Sequence, residues 1–275
     1  MKRVALGVGA MLAVGMLAVM VATTARAAAA GDAPVVSSLG PLMQKEIHWG
    51  MSHLEVVDAY NKPTGIFDQE YASKLAHLQP GSAMDELESE RDSRKSNLAR
   101  SYTEFLDSPT GYDVTPLRGE FSYNNGEATQ RILRDGKARY FFYIKDRLWK
   151  IYDETPLAAD GPLGPTYSSA LAKLGGLLGL APRIRSANSS QGIERTTADW
   201  QDGSTHLRAV DRSGEHLVGI VLEDKRTLSN LASLRSNKAA DPFALDPSVA
   251  ALTRGGISDP NAGRQGGDAG TKKHK

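Results

Sequence analysis

The sequence contains no cysteine. This absence excludes disulfide bonds, thiolate metal sites, a cysteine nucleophile and a lipid-modified cysteine. A chain without disulfide bonds depends for its stability on its own hydrophobic core. The 275 residues are enough for one or two domains.

The sequence also lacks an excess of either charge, because 33 basic residues stand against 32 acidic ones. Strongly basic regions attract phosphate groups, and no such electrostatic argument exists here for nucleic acid or for anionic lipid. We therefore predict no nucleic-acid partner.

Motifs of catalytic and metal-binding sites are missing as well. The sequence has no HExxH, GxSxG, SxxK, phosphate-loop or EF-hand motif. His48 and His53 lie near Glu46 and Glu55, which is a weak metal-binding pattern, and we interpret them as surface residues beside a helix start. We predict no catalytic residues, no metal and no cofactor.

Two acid pairs, Asp153-Glu154 and Glu223-Asp224, are the remaining candidates for acid–base chemistry. Paired carboxylates across a cleft hydrolyse glycosidic bonds. Both pairs lie at predicted strand ends next to turns, so we interpret them as turn residues. A cell-wall or polysaccharide hydrolase stays an alternative on this basis.

The one long hydrophobic run lies at the start of the chain. Lys2 and Arg3 precede an uncharged segment, residues 4–22, and Ala25-Arg26-Ala27 has the pattern of a signal-peptidase site. We predict that residues 1–27 are a secretory signal peptide and that the protein is exported to the periplasm, the cell envelope or the medium. The alternative is an uncleaved anchor, because about 20 apolar residues span a bilayer; only then would the leader hold the protein at the membrane.

The predicted first module covers residues 45–155. Residues 28–44 before it are small and polar and predict a flexible tether. Ser52 and Glu55 have capping-box spacing and predict a helix start. A second helix is predicted over residues 67–78 and a long charged helix over residues 82–105, whose sparse apolar positions favour a solvated helix over a partner-binding coiled coil.

From Leu117 the hydrophobic period changes from helical spacing to two. Asn-Gly and Asp-Gly pairs separate alternating segments and are strong hairpin signals. The segments are GEFSY, EATQRILR, ARYFFYI and RLWKIYDE. They predict a four-stranded antiparallel meander.

The predicted second module covers residues 156–236 and repeats this order. Thr166 is a predicted N-cap, and the segments TTADW, STHLRAV and EHLVGIVLED follow as strands. The sequence thus predicts an α+β fold of two tandem modules, each with helices packed on an antiparallel β-meander, and a long charged helical insertion in the first. Residues 237–275 have too few apolar residues to offset their ordering entropy and predict a disordered tail.

Aromatic residues are concentrated in the third and fourth strands of the first meander. Strict alternation places Phe141, Tyr143, Trp149 and Ile151 on one face, while the other face is also apolar. Such a face is either covered by the long helix or the second module, or it is a binding surface with the composition of protein-binding hot spots. Carbohydrate stacking is a further use of it. We name these four residues as the candidate partner-binding residues.

The segment WGMSHLEVVDAYNKP, with Gly50, Met51, Ser52 and Val56, resembles the opening of the small outer-membrane lipoprotein of the barrel-assembly machinery. Two helix–sheet modules in tandem are also similar to the secreted β-lactamase-inhibitor proteins. The lipidated cysteine of the first family and the disulfide bonds of the second are absent here. The resemblance implies a non-enzymatic module that binds protein through its sheet.

These observations predict an exported, non-enzymatic binding or assembly module of the bacterial cell envelope. Its predicted partner is another envelope or secreted protein. A secreted inhibitor of another enzyme is the alternative from the same resemblance.

Overall fold

The computed structural model describes residues 32–106, 117, 119–134 and 137–237. The predicted signal peptide and the predicted tail after Asn237 lie outside these residues. The described chain is an α+β fold with a single eight-stranded antiparallel sheet. The strands are β1 (Thr103–Glu104), β2 (Glu127–Arg134), β3 (Lys137–Ile144), β4 (Arg147–Pro156), β5 (Arg183–Arg185), β6 (Thr197–Gln201), β7 (Thr205–Arg212) and β8 (Leu217–Asp224). The helices are α1 (His53–Asn61), α2 (Ile66–Leu75), α3 (Ser82–Arg100), α4 (Tyr167–Leu178), α5 (Lys225–Ser229) and α6 (Leu231–Leu234).

The strand order is β1-β2-β3-β4-β8-β7-β6-β5. Strands from the two predicted modules therefore meet in the middle, where β4 pairs with β8 from Lys150↔Glu223 to Pro156↔Leu217. Since every neighbouring pair of strands is antiparallel, each half is a meander and the two halves form one continuous sheet.

Three of the four strands predicted in the first meander are confirmed, and the strand GEFSY is wrong. Thr103 and Glu104 pair with β2 in its place. Phe121 of the GEFSY segment stacks on Phe105, with ring centroids 3.8 Å apart, and Tyr123 packs edge-on at 5.9 Å. The segment thus lies over the sheet, because burying its rings there removes more apolar surface from water than an edge position would.

Both predicted helix starts are confirmed. Ser52 Oγ accepts from the Glu55 N–H at 3.2 Å, and Glu55 Oε2 accepts from the Ser52 N–H at 2.7 Å. Thr166 and Ser169 form the same reciprocal pair at the start of α4. Each box pairs backbone N–H groups that a helix start leaves without helical partners.

The long charged helix is shorter than predicted, because α3 ends at Arg100 and the chain then turns to form β1. Leu98 is its one buried residue. This agrees with the predicted solvated helix, whose polar residues face water.

The prediction of a flexible tether is wrong for residues 32–44. Val36 and Leu39 are buried. The Val36 N–H donates to the Gln201 carbonyl at 2.8 Å, and the Leu39 N–H donates to Asp202 Oδ2 at 2.7 Å. The small size of these side chains had indicated flexibility, but two buried aliphatic residues and an added backbone ladder hold the segment on the sheet.

Two apolar layers cover the sheet. The first face, which carries Phe141, Tyr143 and Ile151, packs under α1, α2, α3, α4 and the amino-terminal segment. The second face, which carries Tyr140, Phe142 and Trp149, packs under Phe105, Leu117, Phe121, Tyr123 and the leucines of α5 and α6. The first layer contains residues from both halves of the chain, so the halves share a core. None of the helices in the described ranges is long and apolar enough to cross a membrane.

Candidate functional site

The four candidate partner-binding residues are buried. Relative exposures are 0% for Phe141 and Tyr143, 1% for Trp149 and 2% for Ile151. The predicted aromatic binding face is therefore wrong: these side chains fill the core and cannot contact a partner in the folded chain. Helices and neighbouring segments cover both faces of the sheet, as the covered alternative required.

The four residues also do not share a face. The pairing of β3 and β4 shifts between Phe142↔Lys150 and Tyr143↔Leu148, which leaves Trp149 as an extra residue in β4. A β-bulge of this kind reverses the alternation beyond it. Trp149 consequently packs on the second face, while Phe141, Tyr143 and Ile151 pack on the first.

A buried network of charges crosses the second face. Glu120 binds Arg208 through both carboxylate oxygens, at 3.0 and 2.8 Å, and accepts from Lys150 Nζ at 2.7 Å. Arg208 also donates to Glu223 Oε1 at 3.1 Å, and His206 Nδ1 lies 3.0 Å from Glu223 Oε2. The network joins β4, β7 and β8 to the segment that carries Glu120.

The electrostatics of this network favour ionised carboxylates. Burial by itself raises the pKa of Glu120, but the positive charges of Lys150 and Arg208 outweigh it and lower that pKa to about 2. Burial likewise opposes ionisation of Glu223, and Arg208, the hydrogen bond from His206 and the charge of Lys150 hold its pKa well below the ordinary range. Both groups stay charged at neutral pH, so the network is a structural ion cluster.

The two acid pairs considered for hydrolysis are divided between partners. Asp153 accepts from Arg139 at 2.6 and 2.7 Å, and Glu154 accepts from Arg212 at 2.6 Å. Glu223 belongs to the buried network, whereas Asp224 caps α5. Adjacent strand residues point to opposite faces, so neither pair brings its two carboxylates together.

The two histidines near the start of α1 also have separate partners. His53 Nδ1 lies 2.6 Å from Asp146 Oδ1, and its ring stacks on Tyr102 with centroids 4.0 Å apart. His48 lies beside the Trp49 carbonyl. Among the described residues, no group of three or more histidine, aspartate or glutamate side chains is arranged to hold a metal ion.

The outer edge of the sheet, defined here as β5 with Leu177 and Leu180, is the most exposed apolar region next to a strand. The sequence predicted a loop at Arg183, where the structure has β5. Within the described sheet β5 pairs with β6 alone, through Arg183↔Asp199, Ile184↔Ala198 and Arg185↔Thr197. Alternate backbone groups of such a strand point away from its neighbour.

Three aliphatic side chains lie at this edge. Leu177 is 69% exposed, Leu180 43% and Ile184 45%. The Trp200 indole N–H donates to the Leu180 carbonyl at 2.9 Å, and Ile184 lies opposite Ala198, two residues from Trp200. These contacts place Leu180 and Ile184 together beside Trp200 on the first face.

A groove lies at the opposite side of the sheet, between the end of α3 and β2. It has a volume of about 430 Å³ and its lining includes Arg94, Arg100, Arg131 and Leu133. Ser101 Oγ, however, binds both the N–H and the carbonyl of Arg131, so it occupies the next backbone position of that strand. The groove therefore offers less free strand edge than β5.

The chain matches no family model, no curated protein and no solved structure.

Proposed function

We propose that this protein is an exported, non-enzymatic binding or assembly module of the bacterial cell envelope, and that it contacts another envelope or secreted protein through the outer edge. The observation that carries the proposal is the position of three exposed aliphatic side chains beside an unpaired strand. A strand edge offers backbone hydrogen bonds, and neighbouring apolar side chains add affinity. With both faces of the sheet covered, the edge replaces the aromatic face as the contact surface.

We further propose that the two halves of the sheet are tandem copies of one helix–sheet module. This proposal is supported by the equivalent capping boxes of α1 and α4 and by the mirrored order of the strands. It is consistent with the resemblance to the barrel-assembly lipoprotein and to the tandem inhibitor proteins. Because the first core contains residues from both halves, the two copies would fold as one unit.

The first test is a crosslinking pull-down from intact cells with the tagged full-length protein. The edge variant replaces Leu177, Leu180 and Ile184 by serine. The control variant replaces two leucines that are equally exposed elsewhere, Leu54 at 65% and Leu133 at 60%, by serine. Circular dichroism first establishes that both variants fold.

We expect a protein that is captured by the wild type and by the control variant and lost from the edge variant. Identical proteins captured by all three would contradict binding at the outer edge. Tagged protein found free in the culture medium, with loss of a secreted enzyme's inhibition in the edge variant, would favour the inhibitor alternative over an envelope role.

A further inference from the structure

We infer that the outer edge selects an extended acidic segment, in which an apolar residue stands between two acidic ones, and binds it by adding it to the sheet as a ninth strand. This inference rests on the proposed function and specifies the chemistry of the partner. It follows from the side chains of β5, from the adjoining edge of β6 and from the charges that a second copy of this chain would bring.

The side chains of β5 alternate in character. Ile184 lies on the first face with Leu180, whereas Arg183 and Arg185 lie on the second face. Residues directly opposite in antiparallel strands lie side by side, and opposite charges in such pairs stabilise the sheet. The matching segment therefore has an acidic residue opposite Arg183, an apolar residue opposite Ile184 and an acidic residue opposite Arg185.

The two arginines differ in what holds them. Arg183 Nη2 donates to Asp199 Oδ2 at 2.7 Å, which fixes its position at the edge. Arg185 is exposed, and no ion pair between described residues includes it. Arg185 is thus the charge that a partner can pair with at least cost, because it gives up no ion pair with the described part of the chain.

The same side of the sheet already accepts an added segment. Past the end of β5, residues Pro34 to Val36 lie along β6: the Gln201 N–H donates to the Pro34 carbonyl at 2.9 Å and the Val36 N–H donates to the Gln201 carbonyl at 2.8 Å. Val35 pairs with Gln201 in a parallel bridge. A short extended segment on this side of the sheet is therefore a geometry that the chain itself uses.

A second copy of the chain is a poor occupant. Two β5 strands paired antiparallel about Ile184 would place Arg183 of each copy opposite Arg185 of the other. Like charges in directly opposite positions destabilise a sheet, and charged residues on a short edge strand prevent such self-association. The charge of the edge favours an acidic partner strand.

The test measures binding of three fluorescent peptides to the full-length protein by anisotropy. The first alternates glutamate and valine, the second alternates lysine and valine, and the third repeats the first with alternate backbone amides N-methylated. The protein variants are Arg185→Glu and, as a control at the opposite side of the sheet, Arg100→Glu. Arg100 lies in the groove beside α3 and has no contact with β5.

We expect the wild type and the Arg100→Glu variant to bind the glutamate peptide more tightly than the other two. Arg185→Glu replaces an attractive pair by a repulsive one, so we expect it to weaken glutamate-peptide binding by roughly fivefold or more and to strengthen lysine-peptide binding. Equal affinity of the wild type for the two charged peptides would overturn the acidic preference. Equal affinity for the methylated peptide would overturn strand addition.

The result is separable from the proposed function. If no peptide binds but the edge variant still loses its partner in cells, the partner chemistry inferred here is wrong and the binding role of the edge stands. If the edge variant keeps every captured protein, the proposed function itself fails.

Discussion

The two faces of the sheet are covered by different kinds of interaction. The first face packs under four helices and the amino-terminal segment, and its contacts are mainly between apolar side chains such as Val56, Phe67 and Phe141. On the second face, rings from the segment before β2 cover Trp149, and a charge network lies beside them with Lys150 only 4.4 Å from the Trp149 ring. Apolar packing depends little on pH, whereas a buried ion network depends on each partner being charged.

This difference predicts different kinds of fragility. A cavity on the first face costs a free energy that is set by lost contacts and volume. On the second face, removal of one partner leaves a buried charge without compensation, which costs more than the pair itself contributes. The following predictions test that contrast, from the largest effect to the smallest.

Lys150→Met is expected to have the largest effect. Lys150 is 3% exposed at its side chain and lies between Glu120 and Glu223. Its loss leaves two buried carboxylates with less compensation and should lower the free energy of unfolding by about 3–5 kcal/mol. Urea unfolding measures the change, and the exposed pair of Arg195 and Glu215 supplies the control.

Arg195→Met should cost less than about 1 kcal/mol, because exposed ion pairs contribute little. The Arg195 and Glu215 side chains are 46% and 41% exposed. Equal losses from Lys150→Met and Arg195→Met would mean that the network is not the main stabilising element of the second face.

Acid should destabilise the protein through the second face. The pKa of Glu120 is lowered from 4.5 to about 2 in the folded state, against the effect of burial, by Lys150 and Arg208. The unfolded chain therefore binds the proton first, so this contribution is complete above about pH 4.5 and is lost as the pH falls toward 2. Thermal unfolding from pH 6 to pH 2 measures it.

Two variants separate the faces in this experiment. Glu120→Gln should flatten the pH dependence, because the titrating group is removed. Phe141→Leu on the first face should lower stability by a similar amount at every pH. An unchanged slope in Glu120→Gln would assign the acid sensitivity to other carboxylates.

The two helix caps should contribute equally. Ser52→Ala and Thr166→Ala each remove an N-cap oxygen and should each lower the free energy of unfolding by about 1 kcal/mol. Since both halves share the first core, chemical denaturation should show a single transition for both variants. Two separate transitions would indicate halves that unfold independently.

The edge residues should have the smallest effect on stability. Serine at Leu177 or Ile184 is expected to change the free energy of unfolding by no more than about 0.5 kcal/mol, because these side chains are exposed. A loss close to that of a core substitution, measured by the same urea titration, would show that the outer edge is a packing surface.

Local patterns in the sequence predicted most of the elements, and long-range contacts explain the exceptions. The capping boxes at Ser52 and Thr166 act within four residues, so they are legible in the chain itself. The turn at Lys145 and Asp146 is also local, and both residues have the positive φ, 49° and 55°, of a tight hairpin turn. The GEFSY segment alternates like a strand, yet its rings find more apolar surface over the second face than a sheet edge offers.

The candidate site was less predictable than the fold. Alternation alone placed Trp149 with Phe141 and Tyr143, and one extra residue in β4 reversed that assignment. The outer edge had only the pattern of Arg183, Ile184 and Arg185 as its signal, three residues that are too short to distinguish a strand from a loop. Exposure of Leu177, Leu180 and Ile184 depends on which surfaces other segments cover, and no local pattern contains that information.

By itself the sequence determined the α+β class, the starts of α1 and α4, most of the strands and the absence of disulfide bonds. Each of these follows from spacing over a few residues or from composition. Only the tertiary structure decided that both aromatic faces are covered, that residues 32–44 pack on the sheet, and that Glu120, Lys150 and Arg208 meet. Such contacts join residues that are far apart in the chain, and they depend on how much apolar surface and how many charges the complete fold can satisfy together.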